Sequence, residues 1–243
     1  MTAKNARTKL NALASPEVAI SSARFFKTGP GQYGEGDTFI GVRVPALRKL
    51  ARECRALPLS EAEALLRSPV HEERLLALLI LVRSVSKCDD DHRKAVYDLY
   101  LGNTQHVNNW DLVDSSAPAI VGGYLRDKSR KPLVRLAKSP SLWERRIAIV
   151  ATQHFIRLGG FDDTLTISHL LLGDKEDLIH KATGWMLREV GERDEAALVA
   201  FLDEHAAAMP RTMLRYAIEK FTPEKRRAYL DAGRPTKSKQ GGG

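Results

Sequence analysis

Apolar residues recur along this chain at steps of three and four. The pattern runs through Leu47-Leu50-Ala51, Leu75-Leu78-Leu79-Val82, Ile147-Val150-Ala151-His154-Phe155 and Leu198-Phe201-Leu202. That spacing puts them on one face of a helix, and no alternating β-branched stretch is long enough to argue for a strand. Helix starts are well punctuated. Ser15-Pro16-Glu17, Ser68-Pro69 and Ser139-Pro140 each place a capping hydroxyl before a proline suited to a first turn. Ser60 and Glu63 have capping-box spacing, and Pro45, Pro132, Pro210 and Pro223 mark further starts. The pattern predicts about a dozen helices joined by brief loops, or about six helix pairs.

A register repeats along this array. Arg74, Trp110, Arg146, Lys181 and Arg215 follow one another at intervals of 34 to 36 residues, each early in a predicted helix and followed by apolar positions. This period is one helix pair with its turns, so the expected fold is all-α, a HEAT-like superhelix (α-solenoid) of stacked pairs. Equivalent positions in such a stack point the same way. Four of the five are cationic, which predicts a basic concave face; the plainer alternative is that these arginines solvate an outer surface. The register also gathers Trp110, Asp114, Arg146, Trp185 and Arg188 on neighbouring turns, because Trp110 and Asp114 are four apart on a helix and Trp185 and Arg188 three apart. Singly, each has an ordinary use: a core indole, a solvated carboxylate, an ion pair. Glu144 and Glu189 are expected to pair with Arg145 and Arg188, and Asp111 to cap its helix.

Composition narrows the partner. Of 243 residues, 38 are Lys or Arg and 30 are Asp or Glu, a net charge of +8 with a pI near 9.5. Such a surface favours polyanions, nucleic acid above all. Cys54 and Cys88 have no metal-ligand or redox spacing. The seven histidines show no ligand motif, so no metal is expected. The longest aliphatic run, Leu75 to Val82, is too short for a bilayer. No signal peptide is evident, and a cytoplasmic, nucleoid-associated location is expected. Gly29 to Gly34 matches GxGxxG in letters but follows no strand, and Pro30 removes an amide. No nucleotide cofactor is expected there; a surface loop is, or one touching a DNA backbone with Lys27, Tyr33 and Arg43. Residues 1–232 are read as a single domain, and 233–243 as a disordered basic, Gly-rich tail.

Three segments carry a resemblance: Asn109 to Gly122 (NWDLVDSSAPAIVG), Leu142 to Ile149 (LWERRIAI) and Lys181 to Gly191 (KATGWMLREVG). They look like helices of the AlkD family of DNA alkylation repair glycosylases, and Phe39 to Arg52 resembles that family's N-terminal repeat. The likeness extends from about Arg24 to Phe221. It implies a hydrolase acting on duplex DNA that carries cationic N3- or N7-alkylpurines, without obligatory base flipping. It also implies Asp114 as the catalytic carboxylate, Trp110 and Trp185 flanking the lesion nucleotide, and Arg146 on the DNA backbone with Arg188 in the same cleft. Lys181, Arg74 and Arg215 would extend the DNA-binding stripe. A monomer with no cofactor is expected. Two departures stand out: Lys27 to Phe39 is longer than in the best-known member, and Asn109 replaces an aromatic residue. Two other readings use the same scaffold, a non-catalytic DNA-structure binder and a protein-interaction scaffold.

Overall fold

The computed structural model describes residues 1–232. The basic, Gly-rich tail expected from residue 233 onward lies outside the described residues. What is described is all-helical, consistent with an α-solenoid. One isolated bridge, Thr38 to Val70, is the only β-type pairing among the described residues. The helices pack as two compact units, Met1–Arg130 and the remainder from Lys131.

The first unit contains α1 (Ala3–Asn11), α2 (Pro16–Phe25), α3 (Val44–Glu53), α4 (Leu59–Leu66), α5 (His71–Ser84), α6 (Asp90–Leu101), α7 (Trp110–Ala117) and α8 (Gly123–Leu125). Its centre is α5, which is buried almost all round. A helix apolar on every side needs neighbours on every side, and α3, α4 and α7 supply them. Four charged or titratable residues open α5, and each has hydrogen-bond or ionic partners. Glu72 accepts the amides of Ile40, Gly41 and Val42. Glu73 pairs with Arg7 at 2.7 Å, Arg74 pairs with Asp37 at 2.5 Å, and His71 bridges two carboxylates. Gly41 has φ +83°, and a Cβ there would run into the backbone of Ser15 and Ala19. Only glycine lets the loop lie this close to the start of α2.

The second unit contains α9 (Lys131–Ala137), α10 (Leu142–Ala151), α11 (Gln153–Ile156), α12 (Asp162–Leu170), α13 (Asp177–Gly191), α14 (Glu195–His205), α15 (Arg211–Ala217) and α16 (Pro223–Ala232). Here α13 is central, against α10, α14 and α15. A Cβ on Gly184 would sit 2.5 Å from the Cβ of Tyr216 and closer still to the Met213 carbonyl. The missing side chain sets how near α13 and α15 approach.

Helix starts follow the serine and proline punctuation only in part. Ser15 caps α2, accepting from the Val18 amide, with Pro16 at its first position. Ser60 does not cap: α4 begins one residue earlier behind Pro58, and Glu63 binds Arg67 and Asn103 instead. Ser68 and Ser139 are also not helix caps. Each hydroxyl accepts from the amide two residues on, Val70 or Ser141, in a turn that precedes the helix. α10 is capped by Ser141 itself. These turns recur in detail. Arg74 Nη1 donates to the carbonyls of Ser68 and Pro69, and Arg145 Nη1 to those of Ser139 and Pro140. Arg74 therefore corresponds to Arg145, not to Arg146 as the repeat register had it, and the one-residue difference rotates the side chain by about 100° around the helix.

Candidate active site

In the first unit the site is built on the start of α7. Asn109 is fully buried and caps the helix, its Oδ1 accepting from the Trp110 amide at 2.8 Å. Its Nδ2 reaches Asp37 at 3.3 Å. The cap is thus Asn109, and Asp111 has another use. Trp110 and Asp114, one helical turn apart, both line a cavity of about 870 Å³ together with Phe25, Phe26 and Phe39. Trp110 stacks on Phe26 at 5.2 Å, meets Phe25 edge-on at 5.8 Å, and donates from Nε1 to the Tyr33 hydroxyl at 3.3 Å. Asp114 is half-buried. Four residues on, Pro118 has no N–H to give the Asp114 carbonyl, and the backbone widens into a π turn over Pro118–Gly122.

Beneath this face lies a buried ionic network that sequence reasoning missed. His71 Nδ1 bonds Asp37 at 2.9 Å and Nε2 bonds Asp111 at 2.8 Å. Both carboxylates need an N–H donor, so the ring is an imidazolium. Burial pulls the His71 pKa down, but the hydrogen bonds and charges of Asp111 and Asp37 outweigh it and hold the value above the ordinary range. Burial likewise pushes Asp37 up, and the His71 bond and Arg74 charge overcome it, lowering its pKa. The imidazolium stacks on Phe39 at 4.5 Å and lies 5.0 Å from Phe26, which carries Trp110. The Gly-rich segment is therefore the brace of α7: Tyr33 meets the indole, and Asp37 meets His71, Arg74 and Asn109. A signal was present in sequence, in the paired Asp37 and His71 beside an Asn-Trp-Asp helix start, but nothing local joined residues so far apart.

In the second unit α13 carries Lys181, Trp185 and Arg188 on one half-exposed face. Lys181 pairs with Asp177 at 2.8 Å and Arg188 with Glu219. Trp185 donates from Nε1 to Glu189 at 3.1 Å, and Glu189 also holds Arg193. Arg145 pairs with Asp174 at 2.6 Å. The expected pairing of Glu189 with Arg188 is thus replaced, because Arg193 lies one turn along from Glu189. Arg146, 5% exposed, donates from Nη1 to the Leu178 carbonyl at 2.6 Å. Arg215 on α15 is exposed. Arg74, in the first unit, is 3% exposed and held by Asp37, so its charge is spent inside the protein. Trp110 and Asp114 belong to one unit and Trp185, Arg146, Lys181, Arg188 and Arg215 to the other.

Among the described residues no group of three or more His, Cys, Asp or Glu side chains could hold a metal ion. No described helix is long and apolar enough to cross a membrane. A search of curated proteins finds no match. Among solved structures, one titled a predicted DNA alkylation repair enzyme from Enterococcus faecalis is similar in fold. It is 18% identical, with a TM-score of 0.68, over 86% of this chain and 97% of that one. A family model described as DNA alkylation repair enzyme matches residues 6–221. With that match spanning most of its length, the chain belongs to the DNA alkylation repair enzyme family, and its role is in DNA repair.

Proposed function

We propose that the protein is a monofunctional alkylpurine-DNA glycosylase, with Asp114 as its catalytic carboxylate. The observation that carries this reading is Asp114 on the wall of an aromatic cavity, one helical turn from Trp110, in a chain of the alkylation repair family. Alkylation at N3 or N7 leaves the purine positively charged. When the glycosidic bond breaks, its electron pair goes to the base, which departs neutral without prior protonation. The sugar becomes oxocarbenium-like, and water adds at C1′ and gives up a proton. The protein needs chiefly a fixed negative charge near that carbon, and an aspartate at neutral pH supplies it. Asp114 also orients the water. The Trp110 ring offers a negative face to the cationic base. No cofactor enters the reaction.

Duplex DNA is the partner, held through its phosphates by Lys181, Arg188 and Arg215, with Trp185 on the same half-exposed face of α13 as Lys181 and Arg188. Arg74 and Arg146 are left out: the Arg74 guanidinium is buried against Asp37, and Arg146, 5% exposed, donates to the Leu178 carbonyl. The test is release of 3-methyladenine and 7-methylguanine from methylated duplex. Asp114→Asn is expected to bind DNA and to lose release. Wild-type excision by that variant removes the catalytic assignment, and binding without any release by the native chain favours a non-catalytic DNA-structure binder.

A further inference from the structure

The network beneath α7 balances its charges through one ring. Asp37 and Asp111 bring two negative charges, and Arg74 and His71 bring two positive ones. That balance holds only while His71 keeps both protons. A neutral imidazole has a single N–H. One of the two carboxylate contacts, 2.9 Å to Asp37 or 2.8 Å to Asp111, must then open. The His71 side chain is 2% exposed, so water is poorly placed to replace the lost donor. Asp111 has little to fall back on, because its Oδ1 is buried with no hydrogen-bond partner. Either opening loosens the tie between the Gly-rich segment and α7.

Neighbouring charges do not take over. Glu72 on α5 is occupied by the amides of Ile40, Gly41 and Val42. Glu63 on α4 is held by Arg67 and Asn103. Glu17 on α2, Arg43 before α3 and Arg48 on it line the cavity from exposed positions, where solvent screens them. Asp114, half-buried on α7, adds more negative charge.

Asp111 follows Trp110 on the first turn of α7 and lies three residues before Asp114. Phe26 packs against both the His71 ring and the indole. Resting on the alkylpurine reading above, we propose that His71 is a positioning residue for the reaction at Asp114. Its two N–H groups join the Gly-rich segment to α7 and so hold Trp110 and Asp114 on the cavity wall. Losing one proton slows the chemical step and spares duplex binding, since the phosphate contacts lie on α13 and α15.

The test uses the full chain labelled with 5-fluorotryptophan, giving fluorine signals for Trp110, Trp143 and Trp185. Nitrogen NMR follows the His71 ring from about pH 6 to about pH 9. The Trp110 signal is expected to shift along the His71 titration while that of Trp143 stays. Single-turnover excision at saturating protein is expected to fall about tenfold on the same curve, with duplex affinity within about threefold. Asp111→Asn gives the neutral ring an amide donor at Nε2 and leaves Nδ1–H for Asp37. Its rate, normalised to its own value at the acidic end, is expected to stay flat. His71→Asn reaches one carboxylate at most and is expected to show the alkaline Trp110 position already at neutral pH. A His71 titration that leaves Trp110 unmoved, an equally deep alkaline fall in Asp111→Asn, or a wild-type Trp110 signal in His71→Asn overturns the proposal. Should His71→Asn fail to fold, the titration of the native chain still decides. The fluorine signals involve no chemistry on DNA, so the two readings separate. Base release with a static Trp110 overturns the positioning role and leaves the glycosylase standing. A Trp110 shift without base release supports the tie and overturns the glycosylase.

Discussion

Asp114, one turn into α7, and His71, at the start of α5, both carry ionisable groups, yet they do different things. Asp114 faces the cavity, and Asn in its place keeps the shape but not the charge. The expected loss in excision is about a hundredfold or more, the scale of removing one preorganised electrostatic contact, with a smaller loss for Trp110→Ala; single-turnover assays on methylated duplex check both. His71 works through others. Its pKa is raised above the ordinary 6.5. Its stabilisation is therefore complete below about pH 6.5 and lost as pH rises through the folded value. Asp37, lowered from 3.8, contributes above that value and loses its contribution on acidification. Urea midpoints are expected to fall on the alkaline side of neutrality. His71→Asn, less stable throughout, should show a flatter alkaline limb; an equally steep limb would assign the loss to another group.

At the scale of elements, helix positions were legible because apolar periodicity survives any tertiary context, as in α5 and α13. Cap identities were less so. Ser60, Ser68 and Ser139 satisfied a local rule, but Pro58 and the two Ser-Pro turns moved the helix starts. The Gly-rich segment was invisible as a brace, since its meaning depends on residues up to 77 positions away, as in the Tyr33–Trp110 contact. The pair Trp110 and Asp114 was legible from four-residue spacing, whereas the burial of Arg74 was not, because its partner Asp37 lies in an irregular loop. Packing at this scale gives a direct prediction. Gly184→Ala must push α15 away from α13 and is expected to cost about 1–3 kcal/mol, read from urea denaturation. An unchanged midpoint would mean the two helices part freely.

For the molecule as a whole, the net charge of +8 makes association with DNA salt-dependent. Arg215→Ala is expected to weaken binding across sequences and to lower the slope of log K against log salt by about one unit. Arg74→Gln should leave that slope unchanged, since the residue is only 3% exposed. It should instead lower the melting temperature, because Asp37 loses a buried partner. Titrations at several salt concentrations separate the two; a reduced slope for Arg74→Gln would return it to the DNA-binding surface.

The turn that opens α5 and the one before α10 are spelled Ser-Pro, three variable residues, Glu-Arg: Ser68 to Arg74 and Ser139 to Arg145. In each, an arginine folds back on the two carbonyls that precede its own helix. That string is a physical landmark, independent of overall likeness. Diverged repeats aligned on the arginine that grips those carbonyls fall into phase, where alignment on whichever cation is nearest slips by a residue and places buried charges on the outside.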